Sequence, residues 1–476
     1  MTFRFARPLI PAAALGALLL GSALHAQDTR VVAEPRFPAS CAVLNARLSA
    51  SGGRLAPADE QHLDTKRIQA AIDACDPGQA VELRASPAAG VFLTGPLQLR
   101  PRVTLLIDKG ATLFASRDPR LYDLTPGSCG VVNRRGHGCK PLILADHAPG
   151  SGIVGDGVID GRGGVSLLGQ KLTWWDLAHI AKVRGLQQSC FRLVVVRHSA
   201  NFVLYRITLR NSPNFHVLVE ETDGFTAWGV RIDTPRTARN TDGIDPASST
   251  NVSILHSWIS DGDDNVAIKA GSSGPSSHIT IADDHFYFGH GMSIGSETNG
   301  GVSAVRVQDL TIDGADNGIR IKSDRSRGGL VQDVSYDDVC IRNVRNPILL
   351  TPLYTNQPGN LLPEYRNIVF RNVHILTSGR ITLDGLDAHL PLGLRFDNVF
   401  ADALRPHDIH ASNAEIALGP QVGNLVPSGD GVTVTRVAGS RPGTPLDCAH
   451  RFIPFPVSNT VADAAGNAVH RPAAPH

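Results

Sequence analysis

The hydrophobic residues of this chain follow two periods, one near the N-terminus and another over most of the remaining sequence. In the segment 67–75, apolar residues that include Ile68 and Ile72 recur at helical spacing after a capping Asp-Thr pair. We therefore predict a capped amphipathic helix of about two turns. Beyond it, short β-branched and aliphatic runs are broken by Gly, Asn or Asp, as in the segments 103–108 and 152–161. These runs predict short strands and turns, and no further helix.

Apolar strand centres recur through the middle of the chain, 24–28 residues apart. They are Leu218, Ile244, Ile268, Ile294, Ile321 and Leu349. Repeats of this length without helices predict a coiled solenoid, and the parallel β-helix fits best. A propeller blade needs about 40 residues or more, and the leucine-rich repeat consensus is missing. We predict a β-helix over residues 27–456, its first coil capped by the N-terminal helix, and a flexible tail over residues 457–476.

The first 26 residues have the layout of a secretory signal peptide. Arg4 and Arg7 precede an apolar run, and small residues follow it. A membrane anchor is the alternative, but Pro11 interrupts the run, which is short for a bilayer span. We predict cleavage after Ala26, with Ala23 as the second choice, and a soluble exported protein.

Composition and charge narrow the class of partner. The chain has 45 Lys and Arg against 44 Asp and Glu, a net charge of +1 that becomes 1 − 2 = −1 once the leader is removed. Attraction to an acidic partner must therefore come from local clusters and not from bulk charge. A hydrophobic content of 42% excludes wholesale disorder. The 47 glycines and 5% aromatic residues favour a sheet-rich repeat over a helical bundle.

The seven cysteines are Cys41, Cys75, Cys129, Cys139, Cys190, Cys340 and Cys448. Disulfides are expected in an exported protein. Cys129 and Cys139 flank a Gly- and Arg-rich loop, and Cys41 and Cys75 flank the N-terminal segment. The odd total leaves at least one thiol free, and the sequence alone leaves the pairing open. The spacing of a structural zinc site is absent, so we expect no metal.

Four polar clusters lie near the strand centres. They are Asn240-Thr241-Asp242-Gly243, Asp261-Gly262-Asp263-Asp264, Gly289-His290-Gly291 and Arg320-Ile321-Lys322. Each cluster alone is an ordinary turn or a solvated strand face. Stacked coils repeat at roughly 4.8 Å, so equivalent positions on three successive coils fall within about 10 Å. We therefore expect the clusters to converge on one face of the solenoid.

Convergence would join three carboxylates, an imidazole and two cations. Carboxylates that are close raise one another's pKa, so that one stays protonated as an acid while another is ionised as a base. Cleavage of a glycosidic bond needs that pair, and an inverting enzyme separates the two by about 6.5–9.5 Å to admit a water. Arg320 and Lys322 would hold an anionic substrate.

These motifs resemble the four signature motifs of the polygalacturonases, glycoside hydrolase family 28. The resemblance extends from the segment 30–35 to about Tyr354 and includes longer strings at 211–216 and 291–297. Those strings are most similar to the secreted endo-polygalacturonases of plant-rotting bacteria. The resemblance implies a right-handed parallel β-helix that hydrolyses α-1,4 bonds of polygalacturonate with inversion.

The resemblance also implies a role for each residue. Asp263 becomes the general acid, Asp242 and Asp264 activate water, and His290 supports the acid. The implied substrate-binding residues are Asn240, Arg320, Lys322 and Tyr354. The implied disulfides are Cys41–Cys75 and Cys129–Cys139. We expect a secreted monomer that acts on pectin without a cofactor and has no nucleic-acid or membrane partner.

Three other functions compete with this one. An exo-acting enzyme, or a hydrolase of rhamnogalacturonan or xylogalacturonan, would share the fold and most of the motifs. A pectate lyase would need Ca²⁺, would release unsaturated products and would lose activity in a chelator. A non-catalytic, glycan-binding β-helix would release no reducing ends. The complete set of acid, base, histidine and cations favours hydrolysis of plain polygalacturonate.

Overall fold

A computed structural model describes residues 27–456 of the chain. The predicted signal peptide and C-terminal tail lie outside these residues. Within the described part, no helix is long and apolar enough to cross a membrane.

The chain winds into coils whose strands stack in register on three faces, and nearly all neighbouring strands pair in parallel. The strands of the first face are Ser40–Asn45, Ala80–Arg84, Thr104–Ile107, Gly152–Val154, Ala200–Tyr205, Asp223–Trp228, Thr250–Leu255, Ser276–Ala282, Val302–Gln308, Leu330–Arg342, Glu364–Ile375, Leu392–Ala401, Ala414–Leu418 and Thr433–Arg436. The strands of the second face are Val91–Thr94, Thr112–Ala115, Val158–Asp160, Thr208–Arg210, Arg231–Asp233, Trp258–Ser260, His285–Phe286 and Thr311–Asp313. From Leu330–Arg342 onward, long strands continue both faces.

The third face carries the polar clusters. Its strands are Leu97–Gln98, Ile143–Asp146, Val194–Arg197, Val217–Glu220, Ile244–Ala247, Val266–Ile268, Met292–Ile294, Asn317–Lys322, Asn346–Thr351, Ile381–Asp384 and Ile409–Ser412. Outside the three faces, the α-helices are Thr65–Ala74 and Trp174–Arg184, and the 3₁₀ helices are Pro57–Gln61, Pro119–Tyr122 and Pro406–Asp408. Two short strand pairs complete the described part of the chain. They are Val131–Asn133 with Gln187–Ser189 and Gln421–Val422 with Arg441–Pro442. This architecture confirms the predicted parallel β-helix.

The core is a column of aliphatic side chains that runs inside the coils. On the third face, Ile268, Ile294 and Ile321 pair in register and are fully buried. Full burial of such a side chain stabilises the fold by about 1.5–3 kcal/mol. Because neighbouring residues on a strand point to opposite sides, the residue between two buried positions projects outward. The outward positions are therefore available for polar residues.

The predicted repeat alignment was correct for Ile268, Ile294 and Ile321 and wrong for the other three strand centres. Leu218 pairs with Asp245, and Leu349 pairs with Arg320, so both leucines occupy the outward column and not the core column. Ile244 does lie in the core, but it pairs with Val266 and is therefore two residues out of register with Ile268. Apolar character alone did not distinguish the two columns because leucine occurs in both.

The N-terminal helix is confirmed at Thr65–Ala74, and its residues Ile68 and Ile72 are fully buried against the core. Gln69 donates a hydrogen bond to the carbonyl of Gln98 (3.0 Å) and accepts one from its N–H (2.9 Å). The helix thereby occupies the edge of the first strand of the third face, as a cap should. The Asp64 side chain makes no capping hydrogen bond and instead accepts from the N–H of Leu93 (3.1 Å).

A second α-helix, Trp174–Arg184, contradicts the expectation that no further helix follows the first. Its side chains Trp174, Leu177, Ala178 and Ala181 are buried at helical spacing. Thr173 and Asp176 form a capping box, and Gly185 ends the helix with a φ of 62°. The signal was therefore present in the sequence, but it spans only about three turns between strands.

Three disulfides join the chain. Cys41–Cys75 and Cys129–Cys139 are the two expected pairs, and Cys340–Cys448 is a third. Cys190 is free and buried. The third bond fixes a C-terminal segment that leaves the last coil and packs against the second face, where the Tyr287 hydroxyl donates to the carbonyl of Ile453 (2.9 Å).

Candidate active site

The four polar clusters converge on the third face. Asp242 lies just before the strand Ile244–Ala247, and Asp263 and Asp264 lie just before the strand Val266–Ile268. His290 precedes the next strand, Met292–Ile294. Because each cluster occupies the same edge of its coil, consecutive coils place the side chains side by side. This confirms the convergence that the repeat spacing predicts.

Asp263 and His290 form the accessible edge of the site. The Nδ1 atom of His290 lies 3.1 Å from Oδ1 of Asp263, and the N–H of Asn240 donates to Oδ2 of Asp263 (3.3 Å). The side chain of Asp263 is 16% exposed, compared with 6% for Asp242 and 2% for Asp264. Asp263 is thus the carboxyl of the three that a substrate reaches most readily.

Asp264 is enclosed by positive charge. The Arg320 guanidinium contacts Oδ1, the Lys322 ammonium donates to Oδ2 (2.7 Å), and Ser293 Oγ donates to Oδ1 (2.9 Å). Burial raises the pKa of Asp264, but the charges of Arg320 and Lys322 outweigh it and hold the pKa well below its usual range. Asp264 is therefore ionised at neutral pH.

Asp242 has the opposite electrostatic environment. Burial and the neighbouring carboxylates of Asp245 and Asp263 raise its pKa well above its ordinary value, although Lys269 Nζ lies 3.4 Å away. One of its oxygens is buried without a hydrogen-bond partner. Lys269 contacts Asp245 more closely, and the pKa of that buried carboxyl is raised to about 6. The site thus contains one carboxyl whose surroundings favour ionisation, Asp264, and one whose surroundings favour protonation, Asp242.

In the free protein, the carboxyl with the raised pKa is Asp242 and not Asp263, the acid that the resemblance implies. Burial raises the pKa of Asp263, but the hydrogen bond and charge of His290, together with the charge of Lys322, bring it below its ordinary value. Of the three carboxyls, Asp242 is therefore the one whose surroundings favour protonation when no substrate is bound. The acid role that the resemblance implies for Asp263 requires the substrate to change this distribution.

Two buried residues without an assigned role fix the backbone of the catalytic turns. His216 Nδ1 lies 3.1 Å from the carbonyl oxygens of Thr241 and Asp242, and its Nε2 lies 2.8 Å from the Thr234 hydroxyl. Asp261 accepts a hydrogen bond from the N–H of Asp263 (3.0 Å). Sequence reasoning missed both contacts, because nothing in a linear motif shows which backbone group a side chain reaches.

The glycines on either side of His290 are required by the backbone. Gly289 has a φ of 128°, and a Cβ there would lie 2.7 Å from the carbonyl oxygen of Asp263. Gly291 has a φ of 73°, and its Cβ would lie 2.1 Å from the carbonyl oxygen of Gly318. Residues with a side chain rarely adopt such angles. The Gly-His-Gly motif therefore serves to bring His290 against Asp263.

The remaining expected substrate residue, Tyr354, lies at the C-terminal side of the site. Its side chain is exposed, and its ring centroid is 5.1 Å from Lys322 Nζ and 6.0 Å from Arg320 Cζ. The structure therefore brings Tyr354 to the two cations. These cations are themselves buried and engaged by Asp264, which the sequence did not predict.

Two groups of side chains within the described residues have the spacing of metal ligands. Asp263, Asp264 and His290 place one ligand atom each within 4.8 Å of one another, and so do Asp146, His147 and His198. In the first group, Arg320 and Lys322 already neutralise Asp264. A divalent cation would have to compete with these two charges.

Clustered carboxylates, a histidine and buried cations on the outer face of a parallel β-helix are the groups that a glycoside hydrolase requires. The sequence model of the glycosyl hydrolases family 28 matches residues 91–415. A polygalacturonase of Ralstonia nicotianae is 40% identical, over 93% of this chain and 96% of that protein. An endo-polygalacturonase of Pectobacterium carotovorum subsp. carotovorum is 46% identical, over 80% of this chain and 91% of that protein.

The solved structure of a polygalacturonase from Erwinia carotovora superimposes with a TM-score of 0.71 and 42% identity, covering 88% of this chain and 98% of that chain. The chain belongs to family 28 of the glycosyl hydrolases. The comparison also confirms the right-handed parallel β-helix that the resemblance implies.

Proposed function

We propose that the protein is a secreted endo-polygalacturonase that hydrolyses α-1,4 bonds between galacturonate residues of pectin. The observation that carries this proposal is the pairing at the third face. An accessible carboxyl, Asp263, contacts a histidine, while a neighbouring carboxyl, Asp264, is held ionised by Arg320 and Lys322. The names of the bacterial relatives support the substrate and the endo mode of cleavage.

In the proposed reaction, Asp263 protonates the leaving oxygen of the glycosidic bond. A galacturonate carboxylate near Lys322 adds a negative charge to the site, and a like charge raises the pKa of a nearby carboxyl. Substrate binding therefore favours transfer of the proton from Asp242 to Asp263, while the Nδ1 contact of His290 holds the Asp263 carboxyl in position. General acid catalysis of this kind contributes about 10²–10⁴-fold.

We assign activation of the attacking water to Asp264 and to Asp242, which is ionised once its proton has moved to Asp263, with inversion of the anomeric carbon. The oxygens of Asp263 and Asp264 approach within 4.8 Å, which is closer than the separation of about 6.5–9.5 Å usual for an inverting pair. This spacing makes the stereochemical outcome a sharp test. Proton NMR of the first product formed should show the β-anomer, and the α-anomer would overturn the inversion.

Binding of substrate is assigned to Asn240, Arg320, Lys322 and Tyr354. The two cations compensate the negative charges of both substrate and carboxylates. Export rests on the leader-like sequence of residues 1–26, and three disulfides suit an oxidising compartment.

The decisive experiment measures viscosity and reducing ends together during digestion of polygalacturonate. An endo-acting hydrolase lowers the viscosity early, when few reducing ends have formed. Release of reducing ends without loss of viscosity would indicate an exo-acting enzyme, and products that absorb in the ultraviolet would indicate a lyase. Absence of reducing ends would overturn the proposed function as a whole.

A further inference from the structure

A cavity of about 470 Å³ opens on the N-terminal side of the candidate site. We call it the arginine pocket and define it by six of its polar lining residues, His137, Gln188, Arg192, Asn214, Arg239 and Asn240. One wall is the antiparallel strand pair Val131–Asn133 and Gln187–Ser189, and another is the end of the helix Trp174–Arg184. Its volume falls within the range of about 300–1,000 Å³ that small-ligand sites occupy.

The arginine pocket is positively charged. Lys182, Arg192 and Arg239 line it, and among the described residues no Asp or Glu does. Within the same part of the chain, Arg192 forms no ion pair. Its Nε is buried without a hydrogen-bond partner, and its NH2 atom lies 3.5 Å from Nδ1 of His137. The carboxylates of Glu220, Asp245 and Asp242 act on Arg192 only from beyond ion-pair distance, so its guanidinium can still pair with an anion in the pocket.

The pocket is continuous with the candidate active site. Asn240 lines the pocket, and its N–H donates to Asp263. The side-chain amide of Gln188 donates a hydrogen bond to Oδ1 of Asn240 (3.2 Å), while the Oε1 atom of Gln188 is buried without a hydrogen-bond partner. The ring of Phe215 separates the cations of the two sites, with Arg192 Cζ 5.2 Å and Lys269 Nζ 4.3 Å from its centroid.

We propose that the arginine pocket binds a second uronate residue of the polymer whose bond is cleaved at Asp263. The Arg192 guanidinium accepts the sugar carboxylate, Arg239 adds positive charge, and the Gln188 and Asn214 amides bond the hydroxyl groups. A guanidinium grips a carboxylate with two parallel hydrogen bonds, which a neutral sugar cannot supply. The proposal rests on the proposed function, since it names a further contact for the same substrate.

The test compares Arg192→Gln with wild type on α-1,4-galacturonate oligomers of increasing length. A charge-assisted hydrogen bond contributes about 1.5–3 kcal/mol, so kcat/KM on a hexamer should fall roughly 10- to 100-fold. On the shortest oligomer that wild type cleaves, kcat/KM should stay within about twofold, because that substrate does not reach the pocket. The ratio of the two values is the readout, and a general folding defect leaves it unchanged.

Arg231→Gln is the matched control. Arg231 is also partly buried and stacks on an aromatic ring, 5.4 Å from the centroid of Trp258, but it lies on the second face. Arg231→Gln should therefore retain the wild-type ratio of kcat/KM on the hexamer to kcat/KM on the shortest oligomer. Arg239→Gln is a second test at the same pocket, and it should lower the ratio in the same direction if Arg192→Gln does not fold.

The two proposals fail differently. If wild type releases no reducing ends from any oligomer, the proposed function fails. If wild type is active and both pocket variants keep the wild-type ratio of long to short substrate, the arginine pocket is not a uronate site, and the function stands.

Discussion

Two clusters of buried charge in this protein have opposite balances. Near the N-terminus, one carboxylate, Glu60, meets two guanidinium groups, with Oε1 of Glu60 3.0 Å from Arg117 Nε and Oε2 3.0 Å from Arg162 NH1. At the candidate active site, carboxyls outnumber cations. Five aspartates, Asp242, Asp245, Asp261, Asp263 and Asp264, surround three fixed cations, Lys269, Arg320 and Lys322.

The difference decides what each cluster can do. Burial raises the pKa of Glu60, but the hydrogen bonds and charges of Arg162 and Arg117 outweigh it, so Glu60 stays ionised and stabilises the fold. In the aspartate cluster, burial and the neighbouring carboxylates raise the pKa values of Asp242 and Asp261 well above their ordinary value, which favours their protonated forms. A cluster in which cations outnumber carboxyls serves structure, whereas a cluster with excess carboxyls can exchange a proton with a substrate.

The largest expected effect is that of Asp263→Asn. Loss of the general acid should lower kcat on polygalacturonate by about 10²–10⁴-fold, with the unfolding midpoint close to that of wild type. Steady-state release of reducing ends and denaturant unfolding measure the two quantities. Asp156→Asn, which removes an exposed partner of Arg206, is the control. Retention of more than a tenth of kcat would remove Asp263 from its role.

Glu60→Leu should reverse this pattern. The substitution leaves Arg162, whose side chain is 2% exposed, without its carboxylate. Breaking a buried pair costs about 3–5 kcal/mol of unfolding free energy, while kcat per folded molecule should not change. Asp73→Leu, which breaks an exposed pair with Arg100, should cost about 1 kcal/mol or less. Equal losses from the two variants would contradict the structural role of Glu60.

His216 adds a pH dependence beside the aspartate cluster. Burial lowers its pKa from 6.5 to about 4, although its hydrogen bonds to the Asp242 and Thr241 carbonyls oppose the shift. The unfolded chain therefore binds the proton more readily, and the contribution of His216 to stability is lost as the pH falls from about 6.5 to about 4. The shift corresponds to about 3 kcal/mol.

The measurement is the unfolding free energy of wild type and His216→Gln across that pH range. Asp245, whose pKa is raised to about 6, acts with the opposite sign, since its contribution is lost as the pH rises from about 4 to about 6. The difference between wild type and His216→Gln cancels this opposing effect. A difference that does not vary with pH would show that His216 is not held neutral.

Arg320→Gln tests which cations hold the aspartate cluster together. It removes one of the two charges that lower the pKa of Asp264, so kcat/KM should fall roughly 10- to 100-fold and the acidic limb of the pH profile should move to higher pH. The side chain is 5% exposed, so the loss should persist at high salt. Arg342→Gln, at an exposed pair with Asp313, is the control. An unmoved acidic limb would contradict the assignment.

The smallest expected effect is that of a chelator. If protons and fixed cations balance the aspartate cluster, EDTA should leave the rate of hydrolysis unchanged. A loss of activity that Ca²⁺ restores would instead place a cation at Asp263, Asp264 and His290. The second group with the spacing of metal ligands, Asp146, His147 and His198, provides a control variant. Asp146→Asn removes one ligand atom of that group and leaves the residues of the candidate active site intact.

Most of the fold followed from local patterns in the sequence. Repeats of 24–28 residues without helices predicted the coils, and Ile68 and Ile72 marked the capping helix. The helix Trp174–Arg184 was missed because its one buried stripe is short, although its capping box was visible. The alignment of Leu218 and Leu349 was wrong because a leucine fits the outward column as well as the core.

The sequence by itself determined which side chains meet at the site, because a solenoid converts a repeat spacing into a stack of neighbours. The tertiary structure alone decided their electrostatic state. It placed Arg320 and Lys322 on Asp264, raised the pKa of Asp242 and formed the arginine pocket from four separate segments. The physical reason is that a pKa depends on every charge and every degree of burial around a group, and these come from coils that are distant in the sequence.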